Sequence, residues 1–350
     1  MDQLGANNES KPLATRDPLE HVKQLRTAVI RWYEEVAEDY PWRRTRDPYE
    51  ILVSEIMLQQ TQIATVLGKR YFERWLEKFP DVATLAAADE SEILKAWEGL
   101  GYYRRARNLQ KAARAVVEEH GGEFPTTYDA IRALPGVGDY TAGAVSCLAF
   151  GMPVAMVDAN IARVFARWFD YDELIDSTPG KKQLQTWGMQ LVAPNSPKQF
   201  NSGVMELGQK HCKPRNPVCH ECPVTNFCAT RNPEQLPKKK AAQTIESITE
   251  FAWFVRDGDR ILLEQETGNR REGLWKLPIA SADEISGRDE VLRTQYSITK
   301  YRVTLRIFRG NATETHGTWV TRQNLNEIAI AAPFRSALER LLEVDLFGVP

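Results

Sequence analysis

LPGVGDYTAGAV, residues 134–145, decides the fold. Gly136 and Gly138 permit a tight turn and leave backbone N–H groups uncovered. The small, apolar run after them continues as a helix, so the stretch reads as a helix–hairpin–helix element. Uncovered amides at the start of a helix make a natural anion site. Gly136, Val137 and Gly138 therefore suit a grip on one DNA backbone that does not read sequence. A lone GxG turn is a weak signal; followed by TAGAVSCLAFG and then VDAN, it becomes specific.

Downstream stand Cys212, Cys219, Cys222 and Cys228, spaced C-x6-C-x2-C-x5-C. Four thiolates in one short loop can surround a metal centre, an iron–sulfur cluster or zinc. A zinc ribbon joins two C-x-x-C knuckles across a longer gap, and only one knuckle is present. The hairpin and this cysteine loop together resemble the iron–sulfur branch of the DNA glycosylase superfamily. That resemblance implies a [4Fe-4S] cluster on the four cysteines, shaping a loop from which Lys213 and Arg215 meet phosphate.

Composition bounds the reading. At 350 residues, with a net charge of −2, the chain has room for more than one domain and is not basic throughout. Near-neutrality leaves DNA binding open, because that depends on where charge collects. Cations cluster at Arg104, Arg105 and Arg107, at Lys210, Lys213 and Arg215, and at Lys238, Lys239 and Lys240. No apolar run reaches the roughly 18 residues of a membrane span. Residues 1–18 lack a signal-peptide core and read as a disordered leader. Thiols left for a metal or a core fit a reducing compartment, the bacterial cytoplasm.

Residues 19–231 read as an all-α domain. Asp47-Pro48-Tyr49-Glu50 gives an N-cap, a first-turn proline and a capping-box glutamate. Further helices are expected over Ala87–Leu100, Ala106–His120, Thr141–Phe150 and Asn160–Trp168. Residues 232–249, rich in proline and lysine, read as a linker. Beyond them FAWFV, RILLEQE and YRVTLRIF are strand-like, and a helix fits Ser336–Leu342, so residues 250–350 form an α+β domain.

Two carboxylates carry chemistry. Asp158 opens the helix NIARVFARW, where the macrodipole and free amides favour an ionised carboxylate. An anion there suits a developing sugar cation; by spacing alone it is equally an N-cap. Glu55 lies among apolar residues in ILVSEIMLQQTQ, where burial disfavours charge and suits a general acid. One acid and one anion are the pair used to break glycosidic bonds.

The segment PWRRTRDPYEILVSEIMLQQTQ, residues 41–62, resembles the signature of the adenine DNA glycosylase family, and the match runs over about residues 25–230. It implies that Glu55 protonates the leaving adenine and later activates water, and that Asp158 stabilises the sugar cation with Tyr140 and Asn160 around it. Trp42, Arg43 and Glu206 would line the pocket for the extruded base, while Gln60 and Tyr102 wedge into the duplex. The partner would be double-stranded DNA carrying adenine opposite 8-oxoguanine or guanine, and the protein a monomer. Tyr140 stands where endonuclease III-like lyases carry lysine, and a phenol cannot form a Schiff base. A lyase is thereby disfavoured, and a thymine glycosylase by Glu55. The family's glycine between aspartate and asparagine is Ala159 here. The second domain resembles a Nudix fold without the hydrolase box, which disfavours a nucleotide hydrolase and leaves a recognition module. Its family loop Phe-Ser-His is Ile298-Thr299-Lys300, with Thr299 for the serine and Lys300 for the histidine.

Overall fold

The computed structural model describes residues 17–241, 244–268, 271–313 and 315–344. Most of the leader expected over residues 1–18 lies outside them. The chain forms two compact units interleaved in sequence. The first takes residues up to Leu52, Pro125–Ala133 and Val137–Lys240; the second takes Val53–Phe124, Leu134–Gly136 and the chain from Ala241 onwards. Among the described residues no helix is long and apolar enough to cross a membrane.

The first unit is helical. Its core gathers Leu25 and Val29 from helix Val22–Val36, Val164, Phe165 and Trp168 from helix Ala159–Trp168, and Phe200, Val204 and Leu207 from helix Pro197–Lys210. Burying such side chains contributes roughly 1.5–3 kcal/mol each. Helices Val22–Val36 and Pro197–Lys210 meet at Gly203, where a Cβ would stand 2.7 Å from Val29 Cγ1. Glycine is what lets the two backbones come this close. The expected cap appears: Asp47 Oδ1 accepts the N–H groups of Tyr49 (2.7 Å) and Glu50 (3.2 Å) at the start of helix Pro48–Leu58.

The second unit joins residues 53–124 to two sheets, one mixed and one antiparallel. Its strands are β1 (Glu246–Phe254), β2 (Arg256–Asp257), β3 (Arg260–Gln265), β4 (Trp275–Lys276), β5 (Ile279–Ala280), β6 (Glu290–Ile298), β7 (Tyr301–Arg309) and β8 (Thr318–Thr321). One sheet runs β5-β1-β7-β6, with β1 and β7 parallel; the other joins β2, β3 and β4, with β8 on β3. The last helix is longer than expected, Ala332–Val344, and its Phe334, Ala337 and Leu338 are buried. The α+β expectation for this part of the chain is met.

Two expectations change. The helix expected over Ala87–Leu100 is shorter, Glu90–Ala96, and Ala87 instead ends a separate helix, Val82–Ala87. Ala88 is extended between them, and Gln110 Nε2 donates to its carbonyl at 2.7 Å. A distant side chain thus takes over a carbonyl freed by the break. Within the stretch read as linker, Leu236 is buried, its carbonyl accepts from Arg167 Nε (3.0 Å), and Lys238 pairs with Asp172 (2.6 Å). Strand β1 already begins at Glu246. The segment without regular structure or anchoring contacts is thus far shorter than composition suggested.

Inside the second unit Glu98 is a hub. Its carboxylate accepts from Lys95 Nζ (2.5 Å), Arg335 Nε (2.8 Å) and the Ile330 N–H (3.4 Å), and its backbone carbonyl accepts from Tyr71 Oη (2.8 Å). Arg107 pairs with Glu90 (2.7 Å) and also donates to the Glu272 carbonyl. The helices of residues 53–124 are thereby fastened to the sheet region.

Candidate active site

In the first unit Asp158 caps helix Ala159–Trp168. Its Oδ1 accepts the Ile161 N–H at 2.7 Å and its Oδ2 accepts Asn160 Nδ2 at 2.9 Å. Asp158 and Asn160 are therefore brought together as expected. Ala159 is exposed at the first helical position, so its methyl group displaces nothing. One expectation is corrected. Burial pushes the Asp158 carboxyl above the usual aspartate range, and the N–H donors and Arg163 only oppose that shift. Desolvation outweighs the helix end.

The same helix braces the cysteine loop. Arg163 donates to Asn160 Oδ1 (3.1 Å), Gly208 O (2.8 Å) and Cys212 O (2.8 Å). One turn on, buried Arg167 donates to Cys212 Sγ (3.3 Å) and Lys213 O (2.8 Å). Asp158 is thus linked through Asn160 and Arg163 to the first cysteine. Tyr140, in the first turn of helix Asp139–Leu148, packs against the core that also holds Ile161 and Val164.

All four loop cysteines are free thiols, and each of Cys219, Cys222 and Cys228 is raised further by its neighbouring cysteines. Burial is the main cause, pushing Cys222 up to about 11 and Cys228 up to about 12. Among the described residues no set of three or more His, Cys, Asp or Glu is arranged to hold a single metal ion. The donor set nonetheless fits a thiolate-held iron–sulfur group, whose positive metal charge offsets such repulsion between thiolates. Lys213 and Arg215 are exposed on the loop, as expected for phosphate contact.

Trp42, Arg43 and Glu206, the residues expected at a base pocket, lie close together. Arg43 Nη2 meets Glu206 Oε2 at 2.7 Å, and Glu206 is 1% exposed. Arg43 also lies over the Tyr40 ring, 4.6 Å from its centroid, and Tyr40 stacks on buried Trp42 at 5.3 Å. Two members were missed. Tyr40 adjoins PWR in sequence, and Lys210 sits four residues after Glu206 on one helix, an i,i+4 signal. Lys210, counted only in a local cluster of cations, has its Nζ 3.5 Å from Glu206 and 3.0 Å from Glu38. Two cations balance a buried carboxylate that alone would be very costly. At the hairpin, Val137 is buried while Gly136 and Gly138 are exposed, and Arg132 grips Asp139 (2.5 Å) and Val137 O (2.8 Å). Gly136 has φ 76°, and a Cβ there would meet Asn108 at 2.5 Å.

In the second unit Glu55 is 7% exposed, between buried Ser54 and Ile56. Just beyond its helix stand Gln60 (φ 54°) and, on the Gly99–Tyr103 loop, Tyr102 (φ 45°, 54% exposed). Between β6 and β7 stands Thr299 (φ 50°). All three adopt the left-handed region, which costs a non-glycine residue free energy and clusters at functional sites. They line one cavity of about 1160 Å³. Arg105, read as part of a basic cluster, is a buried staple. It donates to Ile56 O (2.9 Å), Met57 O (3.0 Å), Leu100 O (2.8 Å) and Gly101 O (3.2 Å), and also to Gln59 O. It thus ties the turn carrying Gln60 to the loop carrying Tyr102, and burial lowers it to about 10. Lys300, expected beside Thr299, instead pairs its Nζ with Glu246 at 2.6 Å.

Residues 53–193 match the family model described as HhH-GPD superfamily base excision DNA repair protein, and residues 212–228 match the iron–sulfur binding domain of endonuclease III. The chain therefore carries an iron–sulfur binding loop. It is 44% identical over 219 residues to the adenine DNA glycosylase of Homo sapiens, covering 60% of this chain and 40% of that protein. To the adenine DNA glycosylase of Buchnera aphidicola subsp. Schizaphis graminum it is 30% identical over 256 residues, 71% of each. The mammalian relatives are thus matched over about half their length or less. A solved thermostable thymine-DNA glycosylase superposes with a TM-score of 0.56 at 35% identity, covering 61% of this chain and 97% of that one.

Proposed function

The chain belongs to the adenine DNA glycosylase family of helix–hairpin–helix base excision repair proteins, and from that premise we propose that it hydrolyses the bond between adenine and deoxyribose where adenine lies opposite 8-oxoguanine or guanine. The observation that carries this reading is Asp158, an N-cap carboxylate braced by Asn160 and Ile161. In duplex DNA the bond is out of reach, so the nucleotide must be extruded. Gln60 and Tyr102 fill the gap it leaves, and Trp42, Arg43 and Glu206 receive the base. Glu55 donates a proton to the leaving adenine and then activates water, while Asp158 stabilises the sugar cation. Thr299 and its cavity read the opposite base. The protein works as a monomer in the bacterial cytoplasm, and the cysteine loop holds a [4Fe-4S] cluster.

The deciding experiment incubates duplexes carrying adenine opposite 8-oxoguanine, guanine, cytosine or thymine, with and without alkali. Excision should favour the first two, and strands should break only after alkali, because Tyr140 offers no amine. Rapid nicking with borohydride trapping of the enzyme would sink the hydrolytic reading. Base loss from G:T duplexes with A:8-oxoguanine left intact would favour a thymine glycosylase instead.

The metal is tested separately. Purified protein should be yellow-brown, with iron and sulfide in equal amounts and little zinc. Cys219→Ser should bleach it and weaken DNA binding, since the loop presents Lys213 and Arg215 to phosphate. A colourless protein with one zinc per chain would exclude the cluster.

A further inference from the structure

The cavity shared by Gln60, Tyr102 and Thr299 is also lined by Arg271 and Tyr296. Arg271 Nη2 donates to Tyr296 Oη at 2.7 Å, and Tyr296 Oη donates to Glu250 Oε2 at 2.5 Å. The guanidinium carbon lies 5.2 Å from the Tyr296 ring centroid and 5.8 Å from that of Phe334, which is fully buried. Burial pushes the Tyr296 phenol up to about 12, so its proton stays on as the donor to Glu250. Hydrogen bond and rings together fix the guanidinium plane. Among the described residues Tyr296 is the only acceptor for the Arg271 side chain. The remaining N–H groups of a half-buried, oriented fork are therefore left for a ligand.

We propose that Arg271 distinguishes the oxidised from the normal purine opposite the excised adenine, by donating to the carbonyl oxygen that oxidation places on C8. This rests on the function proposed above and names the residue that supplies its base preference. A guanidinium offers donors only. The oxidised purine presents an oxygen at C8, whereas guanine in the same pose presents C–H and leaves a desolvated donor unmet. Sites built to meet one polar group reject the analogue lacking it for that reason. Lys300 does not compete for the role, since its ammonium is taken by Glu246.

The test compares wild type, Arg271→Met, Arg271→Lys and Tyr296→Phe by single-turnover excision and equilibrium binding on A:8-oxoguanine and A:G duplexes. By the usual worth of a fork contact to a base, the 8-oxoguanine preference should fall about 5- to 150-fold in Arg271→Met. Lysine should not restore it, lacking the fork. Tyr296→Phe, which keeps the ring and frees the guanidinium, should fall in the same direction by less. Equal weakening on both duplexes with rescue by lysine would make Arg271 a phosphate contact and overturn the proposal. An unchanged preference in both Arg271→Met and Tyr296→Phe would overturn it as well. Wild-type protein that leaves adenine in both duplexes would instead overturn the function on which it rests.

Discussion

Glu55→Gln should lower single-turnover adenine excision by about 10²- to 10⁴-fold, the usual effect of removing a positioned acid. The amide keeps the size and polarity of the side chain but has no acidic proton to give. Glu55 is 7% exposed and flanked by Ser54, Ile56 and Met57, all buried, so little water can replace it. Affinity for the A:8-oxoguanine duplex should hold, because the wedge, cavity and hairpin lie elsewhere on the chain. Loss of rate with binding intact is the signature of an interaction made only in the transition state. Near-normal excision by a variant that binds normally would remove Glu55 from the acid role.

Asp158→Asn should abolish turnover to a comparable extent, about 10²- to 10³-fold, through loss of the anion facing the sugar cation. It should also make the protein more stable. The Asp158 carboxyl is raised by burial, so the folded state holds its proton more tightly than the unfolded chain does. Stability is then complete below the unfolded value and declines as pH rises through the folded one. Asparagine is an equally good N-cap and carries no charge to desolvate. The gain in Tm should be present at about pH 8 and fade towards about pH 3, below the ordinary aspartate value. In the wild type, activity should fall on the acid side at a higher pH than an unperturbed aspartate would give. A variant less stable than wild type at every pH would contradict the account of a carboxylate held charged against its surroundings.

Much of this was legible because local signals and tertiary demands agree. Asp47 and Asp158 announce their helices by type and position, and both accept the N–H groups that position predicts. Gly136 of LPGVG marks a turn that another residue would strain, with φ 76° and Asn108 where a Cβ would stand. What the sequence hides are side chains whose partners are distant. Arg105 belongs to a basic run by composition, yet one of its guanidinium nitrogens donates to carbonyls more than forty residues away. Lys210 sits beside the cysteine loop but answers Glu206 and Glu38. A charge count shows a cation and says nothing about the acceptor it has found. Arg271 was invisible for a further reason. Its meaning lies in Tyr296 and Phe334, which reach it only once β6 and the last helix are in place.

The Glu98 hub sets an order of events on the ribosome. Residues 53–124 emerge first of the second unit, but Arg335 and Ile330, which also hold the Glu98 carboxylate, follow it by 237 and 232 residues. Until then the nascent helices offer the Glu98 carboxylate only Lys95, beside surfaces that the sheets will cover. The intervening residues of the first unit can gather their own core meanwhile. Domains usually mature in the order of their synthesis. In this chain the segment bearing Glu55 is translated before the loop of cysteines and completed after it.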